Sequence, residues 1–185
     1  MKLKSVLMVA VCVAVTWAIT IDCLKFKQYR QYFKAEQDYV RSINPDLTKD
    51  EVRLIVEQVN NQAVENRKDP FIYLAIIAME SGFDIKAKGS HGEIGLMQIL
   101  PSTARKLGFK PKLLWDPQLN VSVGTQYLET ISYDCEGDIV QAIMMYNAGY
   151  KGKDLKIYEN AHVRKVIHEY MRIKCSSNVL LEYVL

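Results

Sequence analysis

One acidic side chain closes an otherwise apolar run: Phe71-Ile72-Tyr73-Leu74-Ala75-Ile76-Ile77-Ala78-Met79-Glu80, then Ser81-Gly82. Asp69 suits a helix N-cap and Pro70 the first helical position, so the run opens as a helix. Gly82 suits the position just past its end. A helix that is apolar on all sides is buried in a core. Glu80 is therefore expected beside an apolar interior, at the negative end of a helix dipole. Both conditions favour the protonated carboxyl over the carboxylate. A carboxylic acid that keeps its proton near neutral pH can serve as a general acid. Taken alone, the segment also reads as a solvated helix end.

Two further segments give Glu80 a context. Gly95-Leu96-Met97-Gln98 follows it after a polar loop holding Gly89 and Gly92, and Tyr146-Asn147-Ala148-Gly149 ends a second apolar run, Ile139 to Met145. The flanks are Ser90-His91-Gly92-Glu93-Ile94, Pro101-Ser102-Thr103-Ala104, Trp115-Asp116-Pro117 and Asn120-Val121-Ser122-Val123-Gly124. In this order the segments resemble the catalytic domain of the soluble lytic transglycosylase (SLT) family, over about residues 55 to 170. The resemblance implies a mainly α, lysozyme-like (goose-type/SLT) single catalytic domain, and the sequence itself places an N-terminal hydrophobic segment before it.

It also implies a chemistry. Most glycosidases pair an acid with a second carboxylate, whereas this sequence offers one well-placed candidate. Asp84 and Glu93 are the nearest others and read as solvated or structural. Lytic transglycosylases are understood to use one acid, because the substrate supplies the nucleophile. Glu80 would protonate the oxygen between N-acetylmuramic acid and N-acetylglucosamine, then accept the proton of the muramic C6 hydroxyl as that oxygen attacks C1. A 1,6-anhydro end results, and the acetamido group assists. Met97 and Gln98 are expected to line the sugar groove, and Tyr146 to orient Glu80 or the acetamido group. Asn147 would hold the backbone around Tyr146, while Ser81 would bond the helix end or touch the acetamido group. Met97 and Tyr146 also read as core residues.

Three features narrow the reading. Many family members carry Glu-Thr-Arg and then Tyr-Val before the last helix; here the stretch is Tyr158-Glu159-Asn160-Ala161-His162-Val163, with His162 where Tyr is expected and no Arg. Goose-type lysozymes, hydrolases of the same bond, place an Asp two residues after their Gln; Leu100 stands there, which favours the transglycosylase over the hydrolase. A non-catalytic peptidoglycan-binding module would have lost the acid, and Glu80 is present. Peptidoglycan glycan strands are the expected partner, and a secretion, conjugation or phage assembly is a compatible setting. The net charge of +3 gives no case for nucleic acid, and neither the cysteines nor His91, His162 and His168 show metal-ligand spacing, so no cofactor is expected.

The chain of 185 residues has room for one domain and an appendage. Met1-Lys2-Leu3-Lys4 precedes an apolar run, Val6 to Ile21, broken only by Thr16 and Thr20. The run is long for a signal-peptide core and short for a membrane span. It predicts export to the periplasm or cell envelope, by a cleaved signal or a retained inner-membrane anchor. Lys25, Lys27, Arg30 and Lys34 beyond it oppose the anchor by the positive-inside rule. Residues 1–22 are read as signal or anchor, 23–47 as linker or juxtamembrane helix, 48–176 as the catalytic domain and 177–185 as a tail. Cap residues place helices after Thr48, Asp69, Pro101, Asp116 and Asp138, and a last one from about Tyr158 to Lys174. Cys135 and Cys175 are read as a disulfide or as two buried thiols.

Overall fold

The computed structural model describes residues 2–149 and 160–176, with side chains from Val13 onward. Their regular structure is helical: α1 (Lys2–Ile43), α2 (Lys49–Asn66), α3 (Pro70–Glu80), α4 (Pro101–Lys106), α5 (Pro117–Asp134), α6 (Ile139–Ala148) and α7 (Ala161–Ser176), with a 3₁₀ turn at Pro111–Trp115. Extended pairing among the described residues is limited to two isolated antiparallel bridges, Lys88 to Ile94 and Ile94 to Ile99. The fold is mainly α, as the sequence predicts. Tyr158, where the sequence begins the last helix, and the tail 177–185 lie outside the described residues.

The chain forms two compact units, residues 1–35 and 36–185. In the first, α1 exposes Val13, Trp17, Leu24 and Phe26. Thr16 and Thr20 turn their hydroxyls back onto the helix, donating to the Val13 and Thr16 carbonyls at 2.9 and 2.8 Å. Among the described residues, no helix is long and apolar enough to cross a membrane.

The second unit is built on α3, whose residues Pro70 to Ala78 are all buried. Helices α2 and α7 pack on it, α5 packs on α2, and α6 on α5. Local chemistry sets the helix starts. Thr48 and Glu51 form a complete capping box for α2. Asp69, Asp116 and Asp138 accept backbone N–H groups at the starts of α3, α5 and α6. Asn160 does the same for α7, its Oδ1 accepting from Val163 N–H at 3.1 Å.

The last turns of α1 also belong to this unit. Tyr39 packs edge-on against Phe83 at 5.9 Å and donates its hydroxyl to Glu169 at 2.7 Å. Arg172 grips the same carboxylate with two donors, at 2.6 and 3.0 Å. Glu36 is buried beside α2: its Oε2 accepts from Asn60 at 2.7 Å, and its Oε1 has no partner among the described residues. Burial, opposed by the Asn60 bond and assisted by Asp69, pushes its carboxyl up to about 7. No disulfide joins Cys135 to Cys175. The sulfur of Cys135 lies 3.4 Å from that of Met145, and Cys175 is exposed.

Candidate active site

Glu80 is the last residue of α3. The helix stops there because the Ser81 N–H turns to the Ile77 and Ala78 carbonyls and Gly82 adopts φ 58°, a left-handed conformation that a side chain would resist. Ser81 donates its hydroxyl to Ile77 O at 3.2 Å, so it finishes the helix and does not line the site. The Glu80 side chain is 14 % exposed. It opens onto a cleft of about 350 Å³ that is also lined by Glu93, Gln98, Tyr127, Tyr146 and Asn147.

The wall carrying Gln98 is held from below by Asn120, a buried residue in the first turn of α5. Its Nδ2 donates to Ile94 O at 2.8 Å and Leu114 O at 2.9 Å, while its Oδ1 accepts from Met97 N–H at 2.8 Å. Gly95 lies directly on this amide at φ 74°, and a Cβ there would collide with it. The turn delivers Gln98 at φ 48°, uncommon for a residue with a side chain. The Gln98 amide then faces the cleft and donates to Gly95 O at 2.8 Å.

Met97, expected on the groove floor, has its side chain fully buried. It packs over Gly124, where any Cβ would strike it. Its carbonyl still serves the site, accepting the Tyr146 hydroxyl at 2.7 Å. Tyr146, at the end of α6, is therefore held by Met97 and not by Glu80. Its ring tilts against Tyr127 at 5.3 Å. Burial, with the Glu80 charge and Tyr127 adding to it, pushes its phenol well up, so it remains a donor at neutral pH. Asn147 follows as an exposed residue of the rim.

The other acids differ in place. Asp84 is exposed and accepts the Lys86 N–H at 2.8 Å, outside the cleft lining. Glu93 lines the cleft but is engaged: Oε2 accepts His91 N–H at 3.0 Å, and Oε1 lies 3.3 Å from the His91 ring. Partial burial pushes the Glu93 carboxyl up, but its own N–H, that of His91 and the His91 ring outweigh this and hold it below the ordinary range.

One residue of the site escaped the sequence reading, and another was read only as a departure from the family's pattern. Tyr127 has helical spacing with Val123 and Ile131 and reads as core, yet its ring also faces the cleft. His162 places Nε2 at 3.2 Å from Glu80 Oε1. The substitution at position 162 was visible in the sequence, but its contact across the fold was not. Among the described residues, no group of three His, Cys, Asp or Glu could hold a metal ion. The cleft thus offers one carboxyl at the end of an apolar helix, with amide and hydroxyl groups around it. Such a site can hold a polar chain and deliver a proton to it.

Comparison with known proteins gives a consistent picture. Residues 57–166 match the family model described as the transglycosylase SLT domain. The chain is similar to the soluble lytic murein transglycosylase of Escherichia coli (strain K12), with 34 % identity over 84 residues, covering 41 % of this chain and 13 % of that protein. It is also similar to the transglycosylase of Enterobacteria phage PRD1, at 28 % over 93 residues, covering 50 % of this chain and 34 % of that one. The chain spans a small part of the first of these relatives and about a third of the second. Among solved structures, an inactive mutant of the lytic transglycosylase Slt from Pseudomonas aeruginosa shares the fold, with a TM-score of 0.57 and 23 % identity over 75 % of this chain and 28 % of that one.

Proposed function

The chain belongs to the transglycosylase SLT domain family, and on that premise we propose that it is a peptidoglycan lytic transglycosylase cleaving the bond between N-acetylmuramic acid and N-acetylglucosamine. The observation that carries this reading is Glu80, an acid ending a buried apolar helix and open to a cleft. Glu80 donates its proton to the glycosidic oxygen and then, as carboxylate, takes the proton of the muramic C6 hydroxyl as that oxygen closes on C1. The proton count balances without water, and the product is a 1,6-anhydro end. Gln98 and Asn147 line the strand's path with amides. Tyr146 fixes the Met97 carbonyl and thereby the Gln98 wall. Met97 supports the groove from beneath, and Ser81 ends the acid's helix.

The substrate places the working site in the cell envelope, and the exposed apolar stretch of α1 supports delivery there by a signal or an anchor. A secretion, conjugation or phage machine is a compatible setting, and the similarity to a phage transglycosylase supports the last of these.

A second reading, hydrolysis of the same bond, draws on Glu93 lining the same cleft. Mass analysis of fragments released from purified wall separates the two, because an anhydro end is one water lighter than a reducing end. Anhydro ends are expected; mainly reducing ends would transfer the assignment to a lysozyme-type hydrolase with Glu93 as base.

A further inference from the structure

His162 stands on the first turn of α7, which packs against both α3 and α6. Its Nε2 lies 3.2 Å from Glu80 Oε1, with its side chain 22 % exposed and that of Glu80 14 %. The start of α7 is fixed on both sides of this residue. Asn160 is buried and caps the helix, and Val163 and Val166 are fully buried beneath it. The imidazole is therefore delivered to the carboxyl by a pinned backbone. None of the three sequence motifs supplies another hydrogen-bonding side chain to Glu80 among the described residues; Tyr146 is committed to Met97.

Resting on the transglycosylase reading above, we infer that His162 is a positioning residue for the acid, its Nε2–H donating to Glu80 Oε1 so that Oε2 carries the transferable proton. A carboxyl has two oxygens, and only one holds the proton. A fixed donor on Oε1 reserves that oxygen as acceptor and leaves the proton on the other. When Oε2 gives its proton to the leaving oxygen, the same donor bonds the new carboxylate, and donors to charged acceptors bind more strongly than donors to neutral ones. Oε2 then takes the proton of the C6 hydroxyl, and His162 has neither gained nor lost one.

The contact is a 3.2 Å approach of one imidazole nitrogen to one carboxyl oxygen. The other titratable groups facing the pair are Tyr146 from α6, Tyr127 from α5 and Glu93 from the loop after α3. The two phenols are pushed up by burial and stay neutral, and Glu93 is held by His91. On α7 itself, Arg164 and Lys165 are exposed.

The test compares the protein with His162→Phe and His162→Gln on purified peptidoglycan, reading kcat, KM and the mass of the released ends. His162→Phe keeps a ring and loses the donor; kcat is expected to fall about ten- to a hundredfold, with KM within about twofold. His162→Gln puts an amide nitrogen near the place of Nε2; it should recover most of kcat. If the Phe variant melts early, His162→Ala replaces it. Unchanged kcat in the Phe or Ala variant, or equal losses in the Phe and Gln variants, overturns the inference. Reducing ends from wild type, with the His162 dependence intact, overturn the transglycosylase reading alone. Anhydro ends with full kcat in His162→Phe overturn the His162 role alone. A wild-type protein that releases no fragments overturns both.

Discussion

Two glutamates stand against the apolar interior of the larger unit, and they have opposite surroundings. Glu36 is 1 % exposed, sealed between α1 and α2, with one oxygen on Asn60 and the other without a partner among the described residues. Glu80 ends the buried apolar helix α3 but opens to a cleft of about 350 Å³ and faces an imidazole. Burial alone raises the affinity of a carboxyl for its proton, and Glu36 has more burial than Glu80. What Glu36 lacks is access: no substrate atom can receive its proton. A catalytic acid needs an apolar wall on one side and an opening on the other.

The sharpest way to test the contrast is to neutralise each acid in turn. Glu80→Gln should cut turnover by at least about a hundredfold, the scale of a lost general acid, while the melting temperature stays near wild type. A variant that keeps more than a few per cent of the activity would remove Glu80 from the role.

The opening itself rests on Asn120. Asn120→Leu takes the partner from the Met97 N–H and from the Leu114 carbonyl, while the Ile94 carbonyl keeps the Ile99 N–H at 3.1 Å. With each buried loss costing about 1–3 kcal/mol, denaturant unfolding should show a loss of about 2 kcal/mol or more, accompanied by lost activity. A stable, active Asn120→Leu protein would show that the wall is held by other means.

Glu36→Gln should do the reverse of Glu80→Gln, changing stability and not turnover. The folded carboxyl titrates at about 7, against 4.5 for the reference group. Between these values the folded state keeps a proton that the unfolded chain releases. Stability is therefore fullest below the reference value, falls by about 1.4 kcal/mol per pH unit as pH rises, and levels off above about 7, a total of about 3 kcal/mol. The Gln variant should lose this slope and be the more stable protein at pH 8. Parallel pH–stability curves for the two proteins would contradict the assignment.

The smallest effect is expected from Tyr146→Phe. It removes the hydroxyl bonded to Met97 O and keeps the ring against Tyr127, so a cost of about 1 kcal/mol in turnover is expected. Wild-type kinetics would reduce Tyr146 to a packing residue.

The legibility of these features follows their range along the chain. The Thr48–Glu51 box, the Asp69–Pro70 and Asp116–Pro117 starts and the Gly82 stop are local chemistry, and the sequence alone places them. Glu80, Gln98 and Tyr146, to which the ordered motifs pointed, line one cleft. Met97 shows the limit of such motifs: its side chain is core and its backbone is what touches the site. The buried position of Glu36, the triple bond set of Asn120 and the reach of His162 to Glu80 depend on distant partners. No periodicity encodes them. The 3₁₀ turn at Pro111–Trp115 also went unread, since five residues are too few for a periodic signal.

The span of those contacts sets an order of assembly. The partners of Asn120 lie 6 to 26 residues away along the chain, whereas α7 is tied to Asp69 by Tyr170 and Lys174 across 101 and 105 residues. Closing the longer loop costs more chain entropy. Pulse-labelled hydrogen exchange should find the Met97 amide protected before those of α7, and simultaneous protection would contradict this. During synthesis the Gln98 wall can set while α7 is still unmade, and His162 reaches Glu80 only with α7. The newborn chain would therefore carry a shaped cleft whose acid is unguided until the docking of α7 completes it.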